Sequence, residues 1–179
     1  YTNGSWNPDS QEGLRVLQQL EQSRALYWET YQLRRSNAWE LVQYLSLTLL
    51  LQSLEPSRKL VSTTQLMAHW LAAEIQALYD AETGDIDVRA WANSDLAELY
   101  LLAPIVDGIQ AMHAGEDFAA KACSAARKLV VLAGASSFKV FSTRRQMMRY
   151  LDWFSPMAGG AFISLEASAR QLLDELPEG

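Results

Sequence analysis

Apolar side chains recur along most of the chain at spacings of three, four and seven residues, which is the period of a helix that buries one face. Residues 38–53 also contain a short strand-like alternation, but their length and their many leucines favour a buried helix. Residues 138–141 alternate in polarity and fit an extended segment. Capping residues, glycines and prolines divide the pattern into about seven helices. These are predicted at residues 11–35, 38–53, from Ser57 or Ser62 to 81, 87–112 with a break at Pro104, from Glu116 or Asp117 to 133, 144–154 and 161–176.

The composition supports one helical domain. Only nine glycines and five prolines occur in 179 residues, so turns are few and the elements are long. Hydrophobic residues make up 49% and charged residues 20%, which is typical of a globular chain with a substantial core. We therefore expect a single all-α domain over residues 1–179. Because the chain starts with Tyr1 rather than Met, we also expect that it is excised from a larger protein.

Net charge and cysteine content narrow the classes of function. A formal charge of −6 and a pI near 4.9 argue against general binding to nucleic acid. The longest uncharged apolar run, residues 41–54, is shorter than the roughly 20 residues that a membrane-spanning helix needs. Cys123 is the only cysteine, which rules out an internal disulfide and fits a reducing compartment. We expect a soluble cytoplasmic protein with no membrane partner.

The charges are distributed unevenly along the chain. Residues 61–120 carry ten acidic side chains and one basic side chain, whereas residues 121–149 carry seven basic side chains and no acidic one. This asymmetry favours neighbouring helices with faces of complementary charge over a ligand site.

No motif in the chain indicates catalysis, a metal or a cofactor. His69 and His113 are the only histidines, and neither has the spacing of a metal-binding motif. A phosphate-binding glycine-rich loop and a nucleophile motif are also missing. Asp95 and Glu98 lie one helical turn apart, but without a matching histidine or second carboxylate pair we interpret them as part of a solvated face. We expect no enzyme activity, no cofactor and no metal site.

The most distinctive feature is an arginine cluster formed by Arg144, Arg145 and Arg149. Arg145 and Arg149 are four residues apart on one face of the predicted helix, and guanidinium groups placed in this way bind phosphate or carboxylate through forked donors. Two explanations stay open. The arginines pair with the acidic residues of 80–98, or they bind an anionic partner such as an acidic peptide segment.

Two helices in the middle of the chain carry the small-residue pattern of a tetratricopeptide unit. Leu96, Ala97 and Tyr100 supply the large, small and aromatic positions of its first helix. The matching positions of its second helix are small or of medium size: Ala119, Cys123 and Ala126. Small residues on both helices let the two backbones approach closely. A second match lies at residues 45–49, and about ten residues, 104–115, exceed the standard spacing between the two helices.

On these residues the chain resembles tetratricopeptide-like arrays and, more specifically, the helical-repeat region called the TRAFs-binding domain of apoptosis-signalling kinases and bacterial relatives. Residues 87–103, 119–132 and 144–154 carry the resemblance. It implies a short, irregular solenoid of antiparallel helix pairs and a regulatory scaffold that binds proteins. The repeat register implies that six side chains face a binding groove: Gln43, Leu47, Trp91, Ser94, Glu98 and Leu101.

The sequence thus predicts a non-catalytic scaffold or regulatory module that binds a protein or peptide segment in a helical groove, with the arginine cluster as a further contact. Homo-oligomers are also expected, since a solenoid fragment exposes apolar end faces. The alternative is a helical-bundle enzyme or small-molecule sensor with its site between helices. A deep apolar pocket with converging polar groups would favour that alternative, and an open groove with exposed aromatic side chains would favour the scaffold.

Overall fold

Ten α-helical segments follow one another in the computed structural model, which describes residues 6–57 and 59–178. They are α1 (Gln11–Leu33), α2 (Ala38–Leu54), α3 (Thr63–Thr83), α4 (Ile86–Leu102), α5 (Ile109–Met112), α6 (Phe118–Ala133), α7 (Phe138–Arg149), α8 (Ser155–Ala158), α9 (Gly160–Ile163) and α10 (Glu166–Asp174). A 3-10 turn (Ala103–Ile105) follows α4, and a π-helical segment (Tyr150–Phe154) joins α7 to α8. The described residues contain no strand, so the predicted all-α fold is confirmed.

Side-chain caps explain where most of the long helices begin. Each cap residue accepts a hydrogen bond from a backbone N–H in the first turn and so satisfies a donor that has no partner within the helix. The caps of α1, α2, α3, α4 and α6 are Ser10, Asn37, Ser62, Asp85 and Asp117. These five helices begin close to the predicted positions.

Two predicted boundaries differ from the structure. Residues 138–141 are not extended but form the first turn of α7, because the hydroxyl of Ser137 accepts a hydrogen bond from the Val140 N–H and caps the helix there. The predicted last helix is interrupted at Ser164, whose hydroxyl donates to a backbone carbonyl at 2.6 Å and competes with the helical pattern. The predicted break at Pro104 is confirmed, since α4 ends at Leu102.

Helix α4 packs against α2, α3, α6 and α7 and is buried on nearly all sides. Its surroundings toward α3 and α6 are mainly apolar, and the exception is the buried Glu74 of α3, which is hydrogen-bonded to Tyr100. Trp70 of α3 is fully buried against the rings of Tyr100 and Phe118, which also contact each other, and its indole Nε1 donates to the backbone carbonyl of Leu99 at 3.0 Å. Ala97 of α4 is fully buried as well. We call this the apolar side of α4.

Toward α2 and α7 the surroundings of α4 are polar. Ser94, Asp95 and Glu98 are all buried, and they lie on a single helix. Helix α2 adds three more buried polar residues on this side, namely Glu40, Gln43 and Ser46. A buried polar group costs free energy unless it is hydrogen-bonded, so this polar side of α4 needs an explanation beyond simple packing.

Candidate functional site

A cleft of about 1310 Å³ opens beside the polar side of α4. Helices α1, α2, α3, α4 and α7 and the π-helical segment all contribute to its walls. Six aromatic side chains line it: Tyr27, Trp39, Tyr79, Trp91, Phe138 and Trp153. Among them Tyr79 is 61% exposed and Phe138 is 73% exposed. The cleft therefore has an aromatic rim that is open to solvent.

A hydrogen-bonded network of buried side chains forms the floor. Gln43 Nε2 donates to Glu98 Oε2 at 2.8 Å, and the Tyr150 hydroxyl donates to Glu98 Oε1 at 2.6 Å. Arg149 Nη2 donates to Gln43 Oε1 at 3.0 Å and to Glu98 Oε1 at 3.3 Å. Because the Tyr150 proton is directed at Glu98, the Ser46 hydroxyl donates to the Tyr150 oxygen, at 2.8 Å. Three donors thus compensate the buried charge of Glu98.

The π-helical segment after α7 brings Tyr150 of this network into position. Its wider turn, which is frequently found at functional sites, follows directly on Arg149. Tyr150 is 1% exposed and points inward to the network, whereas Asp152 and Trp153 line the cleft. Burial raises the pKa of the Tyr150 hydroxyl well above its usual range, and the carboxylate of Glu98 raises it further, so Tyr150 stays a donor.

Asp95 is a buried carboxyl group at the cleft. It lines the cleft wall, and only 6% of the residue is exposed. Within the part of the chain that the structure describes, it takes part in no hydrogen bond or ion pair. Burial raises the pKa of Asp95 well above its usual range, and Glu98, Glu40 and Asp80 raise it further through their negative charge. Such a group either keeps its proton or receives a cation.

Five of the predicted site residues meet at this cleft. Gln43, Trp91, Arg145 and Arg149 line it, and Glu98 lies beneath them, bonded to Gln43 and Arg149. Gln43, Trp91 and Glu98 were predicted from the repeat register, whereas the arginines were predicted from their spacing alone. Residues predicted on two independent grounds therefore lie at one place in the structure.

The other four predicted residues lie outside the cleft. Leu47 and Leu101 are packed in the hydrophobic core, and Ser94 is buried with its hydroxyl 2.7 Å from that of Thr143 on α7. Arg144 donates to two backbone carbonyls at the C-terminal end of α10. Because α2 and α4 are covered on nearly all sides, a position that would face a groove in an isolated helix pair faces a neighbouring helix here.

The arginine cluster is divided among three environments. Arg149 pairs with Glu98, which is the internal pairing that the uneven charge distribution indicates. Arg144 pairs with Glu178 near the end of the described chain. Lys139, which is outside the cluster, makes a second pair between α7 and α4, with its Nζ 2.9 Å from Asp87 Oδ1. Arg145 is exposed at the cleft and takes part in no ion pair with the described residues. The cluster is therefore not a continuous cationic surface.

Sequence reasoning missed Asp95 and Tyr150. The interpretation of Asp95 and Glu98 as a solvated face is wrong, because α2 and α7 cover that side of α4. The signal that was available is the leucine and alanine content around the whole circumference of α4, which is typical of a buried helix. Tyr150 gave no signal, since its role depends on the π-helical turn.

The cleft contains the elements of a binding site. Cys123 does not line it, and burial raises the pKa of this thiol, which lowers its thiolate fraction at neutral pH. Among the described residues, no group of three histidine, cysteine, aspartate or glutamate side chains is placed to hold a metal ion. In the same residues no helix has the length and apolar character to cross a bilayer.

No family model matches the chain, and comparisons with curated proteins and with solved structures gave no match either.

Proposed function

We propose that this protein is a non-catalytic scaffold or regulatory module that binds a segment of a partner protein in the cleft. The observation that carries the proposal is the open cleft of about 1310 Å³ with six aromatic side chains along its walls. Aromatic side chains are the residues that dominate the binding energy of protein interfaces, because each buries a large apolar area in a nearly rigid form.

The dimensions of the cleft favour a peptide segment over a small molecule. Pockets for small molecules usually have volumes of roughly 300–1000 Å³ and bury most of the ligand surface. This cleft is larger, and Phe138 and Tyr79 at its rim are mostly exposed, so a small ligand would leave much of the aromatic surface in water. A segment of several residues covers that surface, and this fits the scaffold better than the enzyme or sensor alternative.

The resemblance to tetratricopeptide-like arrays supports the same function. In those arrays one face of stacked helices binds peptide segments, and the repeat register places Gln43 and Trp91 on that face. The register also places there Glu98 and three residues that are buried outside the cleft, Leu47, Ser94 and Leu101. Gln43 and Trp91 both line the cleft. A cytoplasmic location is part of the proposal, and it rests on the single cysteine, Cys123, which is not in a disulfide.

The test is a selection of short random peptides displayed on phage against the immobilised full chain. Selected peptides are then synthesised with a fluorescent label, and their dissociation constants are measured by fluorescence anisotropy. Each peptide is measured on the wild type and on Gln146→Trp, which places a bulky ring in the cleft because Gln146 lines it. We expect Gln146→Trp to weaken binding by at least about tenfold, since it removes space that the segment needs.

The matched control is Gln171→Trp, the same substitution at an exposed position of α10 outside the cleft. We expect this variant to bind the peptides as the wild type does, and thermal unfolding shows that both variants are folded. A selection that yields no binders, or only binders that are indifferent to Gln146→Trp, overturns the proposed function.

A further inference from the structure

The charged side chains at the cleft are arranged so that carboxylates lie in excess. Asp80, Asp95 and Asp152 line it together with Arg145 and Arg149. One of the two arginines, Arg149, is already neutralised by its pair with Glu98. Even while Asp95 keeps its proton, Asp80 and Asp152 outnumber the one arginine that is left to meet a partner, so the cleft as a whole attracts positive charge.

The depth of these groups decides which one anchors a ligand. Asp95 is 6% exposed, whereas Arg145 is an exposed residue of the cleft. A charged pair that is fully desolvated on binding contributes strongly to retention of the ligand, and a charge at the rim acts mainly on the rate of encounter. The buried carboxyl of Asp95 therefore has more influence on the identity of the partner than the exposed guanidinium of Arg145.

Asp95 also lacks any compensation from the protein itself. Glu98, one turn along α4, accepts hydrogen bonds from three side chains, but Asp95 accepts none from the described residues. The oxygens of Asp95 are unpaired among the described residues but reach solvent at the cleft. Burial of the residue and the neighbouring negative charges of Glu98 and Glu40 make the ionised form of Asp95 unfavourable. A cationic group from outside relieves both the missing hydrogen bonds and the repulsion.

We propose that Asp95 anchors an arginine or lysine side chain of the segment bound in the cleft, so that the partner segment is basic rather than acidic. This inference rests on the proposed function. The long aliphatic stem of such a side chain packs along the aromatic walls while its charged end reaches Asp95. An arginine donates two parallel hydrogen bonds to a carboxylate, and a lysine acts as a point charge, so arginine is the better fit.

The test uses the peptides selected on the wild-type chain and a double-mutant cycle. The protein is changed by Asp95→Asn, and each peptide is changed by replacement of its arginine with the neutral isostere citrulline. We expect either change to weaken binding by at least about tenfold. The two changes together weaken binding no more than one alone, because both remove the same interaction.

Asp152→Asn is the matched control, since it removes the same charge from an exposed position in the same cleft. We expect it to weaken binding by less than about threefold, as is typical of exposed ion pairs. If Asp95→Asn does not fold, the citrulline peptides measured on the wild type decide: a loss of binding supports the anchor, and unchanged binding overturns it.

The failure of this inference differs from the failure of the proposed function. Peptides that are lost on Gln146→Trp but bind Asp95→Asn as tightly as the wild type overturn the anchor and leave the proposed function in place. Selected peptides that are acidic and are lost on Arg145→Gln also overturn the anchor alone. A selection without any peptide that depends on the cleft overturns both.

Discussion

The two sides of α4 stabilise their buried side chains by different interactions, ring packing on one side and a hydrogen-bond network on the other. On the apolar side, Trp70, Tyr100 and Phe118 pack ring against ring, and the single polar atom of Trp70 is satisfied by a backbone carbonyl. On the polar side, Glu98 and Arg149 are held by a network of side-chain hydrogen bonds. The two sides belong to one helix and are both buried.

The difference between them separates what folding requires from what it does not. Burial of apolar area is sufficient to explain Trp70, because it stabilises the fold without further conditions. The network around Glu98 is different, since apolar residues of similar size are often as stable as a buried ion pair or more so. Asp95 is a second acid on the same side, with no partner among the described residues, and burial together with the nearby carboxylates makes its ionised form unfavourable. The polar side therefore indicates function, and it is the side on which the cleft opens.

Removal of the largest side chain on the apolar side should have the largest effect on stability. Trp70 is fully buried, so Trp70→Ala leaves a cavity and should lower the free energy of unfolding by about 3–5 kcal/mol. Urea denaturation followed by circular dichroism measures this change. Ile75→Ala, at a position of the same helix that is 68% exposed, is the control and should change the free energy by less than about 1 kcal/mol. Similar values for both variants would contradict the assignment of Trp70 to the core.

Removal of the central acceptor on the polar side should have the next largest effect. Glu98→Ala leaves Gln43, Arg149 and Tyr150 without their common partner, which we expect to lower the free energy of unfolding by about 2–4 kcal/mol. The same urea titrations measure it. Glu98→Leu combined with Arg149→Leu removes both charges and should recover much of this loss. If the loss in the free energy of unfolding of the double variant equals the sum of the losses in Glu98→Leu and Arg149→Leu, the two side chains do not depend on each other.

The apolar side was largely predictable from the sequence, and the polar side was not. Periodicity and capping residues such as Ser62 and Asp117 predict the helices, because these are local properties of the chain. The spacing of Ala97 and Tyr100 similarly indicates a packed face. The environment of Asp95 depends instead on which helices cover α4, and the position of Tyr150 depends on a π-helical turn. Neither is encoded by spacing in a single segment, and the solenoid arrangement stays a prediction for the same reason.

Overpacking of the apolar side should have a moderate effect. Ala97 is fully buried on α4, so Ala97→Leu has no room and should lower the free energy of unfolding by about 1–3 kcal/mol. Ala120→Leu, at an exposed position of α6, is the matched control and should change it by less than about 0.5 kcal/mol. Equal stability of the two variants would show that more space lies beside Ala97 than the structure shows.

Asp95→Asn should have the smallest effect on stability and the opposite sign. Burial, followed by the charges of Glu98, Glu40 and Asp80, raises the pKa of Asp95 in the folded state, whereas an unfolded aspartate loses its proton near about pH 3.9. The folded state therefore holds a proton that the unfolded state has released, and the stability of the wild type falls as the pH rises toward the folded pKa. Asparagine has no such proton, so the variant should gain most at mildly alkaline pH and least under acid conditions.

Thermal unfolding at several pH values measures this difference, with a gain in Tm of a few degrees expected at the alkaline end. Asp107→Asn, at an exposed loop position, should show no gain that grows with pH. A constant offset for Asp95→Asn across the pH range would contradict the shifted pKa. The stability and the peptide affinity of Asp95→Asn are informative together. A carboxyl group that serves only the fold should not destabilise the fold, and a carboxyl group without a function should not affect peptide binding. A variant that gains stability and loses affinity for basic peptides identifies Asp95 as a group retained for its ligand at the expense of the fold.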